Sequence, residues 1–128
     1  MSIEITCSEV HVSKEEWGHL IAWGAEKNPE ENYLMLQAAD EYSEDDVRLG
    51  MNDIYVECCG QGWSWYGHIQ SFRLSRHSVD VKLDAAAADH MGNDGRIHVQ
   101  FSVDDAAYGN LQLVLRHIFN GRACFTEA

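Results

Sequence analysis

Apolar and polar residues alternate along most of the chain, and this pattern predicts a protein built mainly of strands. The segment 96–103 shows the alternation most clearly, because an apolar side chain recurs there at every second position. The segment 32–39 places Tyr33, Met35 and Gln37 on one side of a strand. Five further segments follow the pattern less regularly: 2–12 (one bulged strand or two short ones), 19–26, 53–58, 63–75 (one long strand, or two joined by a kink at Gly67) and 78–84.

One helix is predicted near the C-terminus, where apolar residues recur at helical spacing. These residues are Ala107, Leu111, Val114, Leu115 and Ile118. Asp104 or Ser102 can cap the start of this helix, and Gly121 can end it. Residues 85–91 fit either a short helix or a strand of small residues. Residues 40–50 fit either an acidic loop or a capped short helix.

Together these elements predict an α+β fold. We expect a mostly antiparallel sheet of roughly seven or eight strands, with the long C-terminal helix packed on it. A chain of 128 residues is expected to form one domain, covering 1–128. No apolar run approaches the roughly 20 residues of a membrane helix, and the N-terminus lacks the pattern of a signal peptide. We therefore expect a cytoplasmic protein that does not engage a membrane.

Acidic residues dominate the charge of the chain. The formal charge is −12, from 21 acidic and 9 basic residues. Clustered Lys and Arg, which contacts to phosphate need, do not occur, so no nucleic-acid partner is expected. Ten of the acids lie between 26 and 57, where Lys27 and Arg48 are the only bases. This segment fits either a solvated loop or an acidic face that attracts a basic partner protein.

The motifs give little support for metal or enzyme chemistry. The four cysteines form no CxxC pair and are expected to be reduced thiols. Cys58 and Cys59 are adjacent on a predicted strand, so their side chains should point to opposite faces rather than chelate one ion. The histidines show no HxH, HxxxH or HExxH spacing, and no nucleophile or phosphate-loop motif occurs. We expect no metal, no cofactor and no enzymatic activity.

The segment CCGQGWSWYGHI predicts a hairpin with two tryptophans beside its turn. If residues 60–62 form a three-residue loop, Glu57 pairs with Trp65. Trp63 and Trp65 then lie opposite the aliphatic face of the preceding strand, and Tyr66 shares that aliphatic face. A two-residue loop would shift the pairing by one residue and reverse the assignment.

Three short motifs lie on the predicted strands in the middle of the chain. The first is ENYLMLQ at 31–37, and the second is YVE at 55–57. The third contains, in order, Gln61, Ser64, Tyr66, Gly67 and Ile69. With the final helix, which ends in RHIFNG, these motifs resemble the bacterial immunity protein 10 family over about residues 30–120. The chain departs from the family pattern at His68, where a second glycine is expected.

The resemblance implies an α+β immunity protein, encoded beside a polymorphic toxin, that binds and neutralises the cognate toxin domain in the cytoplasm. It implies no catalytic residue. An acidic protein suits a toxin with a basic active site, such as a nuclease, whose phosphate ligands the carboxylates would mimic. We therefore predict that six carboxylates steer the toxin and three aromatic residues anchor it: Glu41, Glu44, Asp45, Asp46, Asp53 and Glu57, with Trp63, Trp65 and Tyr66.

The sequence is also compatible with two other functions. The tryptophan-rich hairpin could line the pocket of a small ligand-binding or enzymatic domain. An exposed aromatic face could instead join two copies of the chain in an assembly module. The chain is accordingly expected to be a monomer or a homodimer. The residues do not identify the cognate toxin.

Overall fold

The computed structural model describes residues 2–7, 9–60 and 63–128, and within these ranges it contains ten strands and three helices. In chain order the elements are β1 (Ile3–Cys7), β2 (Val10–Lys14), β3 (Gly18–Gly24), β4 (Tyr33–Ala39), α1 (Glu44–Arg48), β5 (Tyr55–Cys58), β6 (Ser64–Tyr66), β7 (Ile69–Ser75), β8 (Ser78–Leu83), α2 (Ala85–Met91), β9 (Arg96–Phe101), α3 (Asp105–Phe119) and β10 (Phe125–Glu127). The predicted α+β class is confirmed, and most strand pairings are antiparallel.

The strands form two five-stranded sheets, and the prediction of one sheet with seven or eight strands is wrong. Sheet A has the order β1-β9-β8-β7-β10. Each of its edge strands is parallel to its neighbour: β1 to β9, and β10 to β7. Sheet B has the order β2-β3-β4-β5-β6 and is antiparallel throughout. The chain changes sheet between β1 and β2. It changes again at Gly67 and His68, whose positive φ angles of 78° and 65° interrupt the strand.

The core lies where the two sheets and α3 meet. Phe72 of sheet A has its ring centroid 6.1 Å from that of Trp23 in sheet B and 5.0 Å from that of Phe119 in α3. Leu34, Leu36 and the other inward residues join these rings in one hydrophobic cluster. Burying each large apolar side chain contributes roughly 1.5–3 kcal/mol. This energy therefore fixes which side of each strand faces inward.

The predicted C-terminal helix is confirmed as α3. Asp104 caps its start by accepting a hydrogen bond from the backbone N–H of Ala107 at 2.8 Å. Its left-handed C-cap is Asn120, one residue before the predicted Gly121. Among the helices of the described ranges, none is long and apolar enough to cross a membrane.

Helix caps determine the secondary structure of the two segments that the sequence pattern left open, 85–91 and 40–50. Residues 85–91 form helix α2, because Asp84 accepts the N–H of Ala87 at 3.1 Å. Within 40–50, the short helix α1 forms behind a capping box in which Ser43 and Asp46 bond reciprocally. Both segments are therefore helical.

Replacing Gly67 by alanine is expected to lower the free energy of unfolding by about 2 kcal/mol. Gly67 has a φ of 78°, and an added Cβ would lie 2.6 Å from Oδ2 of Asp53. Asp53 has little freedom to move, because its Oδ1 pairs with Arg122 at 2.5 Å. The matched control is Gly109→Ala in α3, where an added Cβ meets nothing within 4 Å. Urea denaturation should show the control at native stability or slightly above, and equal stability losses in both variants would contradict the expectation.

Candidate protein-binding face

The outward sides of the two sheets differ in chemistry. Sheet A turns polar and charged residues outward: Glu4, Thr6, Arg73, Asp80, Lys82, Arg96, His98 and Gln100. Sheet B turns outward a row of larger, less polar residues, which we call the tyrosine face: Leu20, Ala22, Tyr33, Met35, Gln37, Tyr55, Glu57, Ser64 and Tyr66. In the described part of the chain no helix packs over this face, since the buried residues of α2 and α3 belong to the core and α1 has none. The predicted alignment of Tyr33, Met35 and Gln37 on one side of their strand is confirmed.

A buried carboxylate, that of Glu57, lies in the middle of the tyrosine face. Its side chain accepts hydrogen bonds from the hydroxyl of Tyr55, at 2.5 Å, and from the hydroxyl of Tyr33. Only 7% of Glu57 is exposed. No Lys or Arg of the described residues pairs with it, although a buried carboxylate is ordinarily paired with a cation. Glu57 is therefore a buried carboxyl group whose two oxygens are each held by a neutral hydroxyl donor.

The two tyrosines are held in their protonated form. Burial raises the pKa of Tyr33 and of Tyr55 above the usual value, and the hydrogen bonds to Glu57 raise it further. Both phenols are thus fixed as donors to Glu57 at neutral pH. The ring of Tyr66 lies 5.2 Å from that of Tyr55 and extends the aromatic surface toward the edge of the sheet.

Acidic residues border the tyrosine face at both ends. At one end a cavity of about 770 Å³ is lined by Glu57 and Tyr33 together with Glu9, Glu26 and Glu30. At the other end a cleft of about 150 Å³ is lined by Tyr55, Tyr66, Asp46, Asp53, Trp17 and Tyr42. The face therefore has tyrosines around a central carboxyl group and further acidic residues at its margins.

The structure brings three of the six predicted carboxylates to the tyrosine face and leaves the others beside it. Glu57 lies at its centre, and Asp46 and Asp53 line the cleft. Glu41, Glu44 and Asp45 are exposed on the segment that contains α1. Two of the six already have cationic partners, since Asp45 pairs with Arg48 at 2.8 Å and Asp53 with Arg122.

The tryptophan hairpin does not have the register of the three-residue loop but the alternative, shifted by one residue. Val56 pairs with Trp65 and Glu57 with Ser64, so the pairing is shifted by one residue. The cause is Cys59, whose φ of 59° takes it out of the strand and lengthens the loop. Gln61 and Gly62, two of the three predicted loop residues, lie outside the described residues.

This shift exchanges the faces of the hairpin. Trp63 and Trp65 are partly buried and pack against the core, and Tyr66 lies on the tyrosine face rather than on the aliphatic side. The two tryptophans are consequently poor candidates for anchors. Tyr66 keeps the outward position that an anchor needs.

The expectation that Cys58 and Cys59 point apart is also wrong. Their sulfur atoms lie 3.5 Å apart, because β5 ends at Cys58 and Cys59 turns back. The thiol of Cys58 stabilises the Cys59 thiolate and lowers the pKa of Cys59 to about 6, while the same interaction raises the pKa of Cys58. His68, near the end of the segment CCGQGWSWYGHI, pairs with Asp84 at 2.8 Å.

Sequence periodicity missed two exposed aromatic residues beside the tyrosine face. Trp17 is 44% exposed and lies in the turn between β2 and β3, and Tyr42 is 36% exposed and precedes α1. Turns have no alternation that could mark either residue. The pairing of strands distant in sequence is what places them beside Tyr55 and Tyr66.

Comparison with known proteins gives one family match. The model of the family described as Immunity protein 10 matches residues 6–109, a span that includes the whole tyrosine face. The chain has no match among curated proteins and none among solved structures.

Proposed function

The chain belongs to the immunity protein 10 family, the immunity proteins of toxin systems, and we propose that it neutralises its toxin by covering it with the tyrosine face. The observation that carries this proposal is the unpaired Glu57 carboxylate, buried between two tyrosine hydroxyls in an uncovered sheet face. The toxin would be inhibited by occlusion, without any reaction catalysed by the immunity protein.

Glu57 is placed to receive a cationic side chain of the toxin. Its two oxygens can accept about four hydrogen bonds, and the tyrosines supply two. An Arg or Lys that entered the adjoining cavity would complete the set and supply the missing positive charge. Such a pair would be largely desolvated and therefore slow to dissociate.

The tyrosines around Glu57 have the properties of binding hot spots. Tyr55 and Tyr66 present rigid rings whose packing against a partner costs little conformational entropy. The rings are half-buried and therefore already held in place in the free protein, so binding costs less side-chain entropy. We infer that they surround the cationic residue of the toxin and exclude water from it.

The acidic segment before and within α1 would attract the toxin over longer distances. A toxin whose active site holds phosphate, such as a nuclease, carries the positive potential that this segment complements. We accordingly propose a basic toxin domain, and a nuclease as the best-fitting kind. Glu41 and Glu44 are the best residues to test, because Asp45 has a partner in Arg48 and Asp46 caps α1.

The variant Glu41→Lys with Glu44→Lys is expected to slow association with the toxin domain about tenfold at low salt. The difference should shrink as the salt concentration rises, because the screening length falls. The matched control is Glu4→Lys with Asp89→Lys, which changes the charge equally at exposed positions in β1 and α2. Stopped-flow mixing with the toxin domain encoded beside this chain measures both rates. Equal slowing in the two variants would exclude steering by this segment, and failure of the native protein to bind and inhibit that domain would exclude the proposed function.

A further inference from the structure

Three side chains able to ligate a metal meet at one end of sheet B. His19 lies near the start of β3, Asp40 directly follows β4, and His117 lies in the last turn of α3. The Nε2 atoms of His19 and His117 are 3.9 Å and 3.6 Å from Oδ1 of Asp40. One ligand atom from each residue lies within 4.8 Å of the other two.

Strand pairing and burial in the core hold the backbone of these three residues in place. Gly18 pairs with Ala39 in the register of β3 and β4, so His19 and Asp40 are brought together at adjoining strand ends. Ile118 and Phe119 are buried in the core, and this anchors the turn of α3 that bears His117. The cluster is therefore a feature of the packed structure and not of mobile side chains alone.

The separations fit a shared cation better than direct hydrogen bonds. Distances of 3.6 Å and 3.9 Å exceed those of normal hydrogen bonds to a carboxylate. In a tetrahedral zinc site with metal–ligand bonds of about 2.1 Å, the ligand atoms lie about 3.4 Å from one another. The separations between Asp40 and the two imidazoles are within about 0.5 Å of this value, and the three ligand atoms, all within 4.8 Å of one another, would have to close by at most about 1.4 Å to reach it. We propose that His19, Asp40 and His117 together bind one divalent transition-metal ion, of which Zn²⁺ is the best fit.

The surroundings of the cluster leave the proposed ligand atoms free. Lys14 pairs with Oδ2 of Asp40, so Oδ1 faces the two imidazoles. The Nδ1 atom of His19 is buried, so Nε2 is the atom that this ring presents to the carboxylate. Burial, followed by the neighbouring His117 and Lys14, lowers the pKa of His19, while Asp40 acts in the opposite direction.

The ligand set favours zinc over magnesium or calcium. Two imidazoles and one carboxylate are typical of Zn²⁺ sites, whereas the harder cations prefer oxygen ligands alone. Three protein ligands leave one coordination position open. The side chain of His117 is 62% exposed, so that position faces solvent, where a water molecule would complete the tetrahedron.

Bound metal would join sheet B to α3 and stabilise the folded chain. A ligand that binds only the folded state raises the melting temperature in proportion to the logarithm of its concentration. Zn²⁺ at 100 times its dissociation constant is expected to raise Tm by about 5–10 °C. This site does not depend on the proposed toxin contact, and its test needs no toxin.

The test is a Zn²⁺ titration of the full-length protein after removal of metals with a chelator. Calorimetry is expected to show one Zn²⁺ per chain, with affinity reduced about 100-fold in His117→Ala and markedly reduced in Asp40→Asn. Because the side chain of His117 is exposed, its variant is expected to fold, and circular dichroism verifies this. Two controls are expected to keep native affinity: His98→Ala, which removes an imidazole also paired with a carboxylate (Asp80, 2.5 Å), and Cys59→Ser.

Co²⁺ substitution gives an independent readout of the same site. Tetrahedral Co²⁺ should produce visible absorption bands in the native protein that disappear in His117→Ala. Native affinity in His117→Ala, or a loss of binding in Cys59→Ser equal to the loss expected for His117→Ala, would overturn the proposal. So would the lack of one-to-one Zn²⁺ binding by the native protein.

Discussion

The double variant Tyr55→Ala with Tyr66→Ala is expected to bind the toxin domain about 100-fold more weakly than the native chain. The two rings lie 5.2 Å apart on the outward side of β5 and β6. Removing them takes away the aromatic surface that would cover the toxin. It also takes away the hydroxyl that donates to Glu57 at 2.5 Å. Calorimetry or surface plasmon resonance with the purified toxin domain measures the loss.

The control for this variant is Tyr108→Ala. Tyr108 is also a half-buried tyrosine, but it lies on α3 with its ring 4.8 Å from the guanidinium carbon of Arg76. Its removal should leave the affinity for the toxin domain within about threefold of native. Urea denaturation should show both variants folded. Native affinity in the double variant, or an equal loss in Tyr108→Ala, would mean that the toxin binds elsewhere.

The variant Trp65→Ala is expected to show the opposite behaviour, although residue 65 adjoins Tyr66. Trp65 pairs with the fully buried Val56 and packs against the core. Truncating it should lower the free energy of unfolding by about 2–3 kcal/mol, somewhat less than for a fully buried tryptophan. Because its side chain does not reach the tyrosine face, the folded variant should bind the toxin domain with nearly native affinity.

Unfolding by urea and binding of the toxin domain together test the expectation for Trp65→Ala. Ser64→Ala is the matched control on the same strand, and it should change stability by less than about 1 kcal/mol. A large loss of affinity with native stability in Trp65→Ala would contradict the shifted register. It would instead favour the arrangement in which Trp63 and Trp65 lie outward.

The local pattern of the sequence predicts most strands but not their partners. Alternation identifies β9 correctly, because every second residue of 96–103 is apolar. It cannot show that β9 pairs in parallel with β1, roughly ninety residues earlier, since that pairing depends on the core and not on either segment alone. The short strand β10 has too few residues for any period to be visible. One predicted sheet became two because the chain leaves sheet A after β1 and returns to it at Gly67 and His68.

The register of the tryptophan hairpin could not be derived from the sequence for a different reason. A shift of one residue exchanges the two faces of a strand, so the assignment depends entirely on loop length. The backbone of Cys59, a non-glycine residue with a φ of 59°, lengthens the loop. Few residues other than Gly, Asn and Asp adopt this conformation readily, so the sequence gives no warning of it.

The sequence predicts which types of residue the candidate site contains, but it does not predict which of them contact one another. The acids and aromatic residues of the middle segment pointed to a basic protein partner, and the family membership is confirmed. The hydrogen bonds of Glu57 to Tyr33 and Tyr55 require two strands to be aligned in register. The cluster of His19, Asp40 and His117 joins residues separated by up to 98 positions, so no spacing rule could find it.

The most direct test of the central claim is oxidative footprinting of the tyrosine side chains in the free protein and in its complex with the toxin domain. Mass spectrometry reports the oxidation of each side chain separately and therefore distinguishes the two faces of one strand. We predict that the toxin domain protects Tyr33, Tyr55 and Tyr66 and leaves Tyr108 unchanged. Protection of Tyr108 with unchanged oxidation of Tyr55 and Tyr66 would contradict the claim that the tyrosine face covers the toxin.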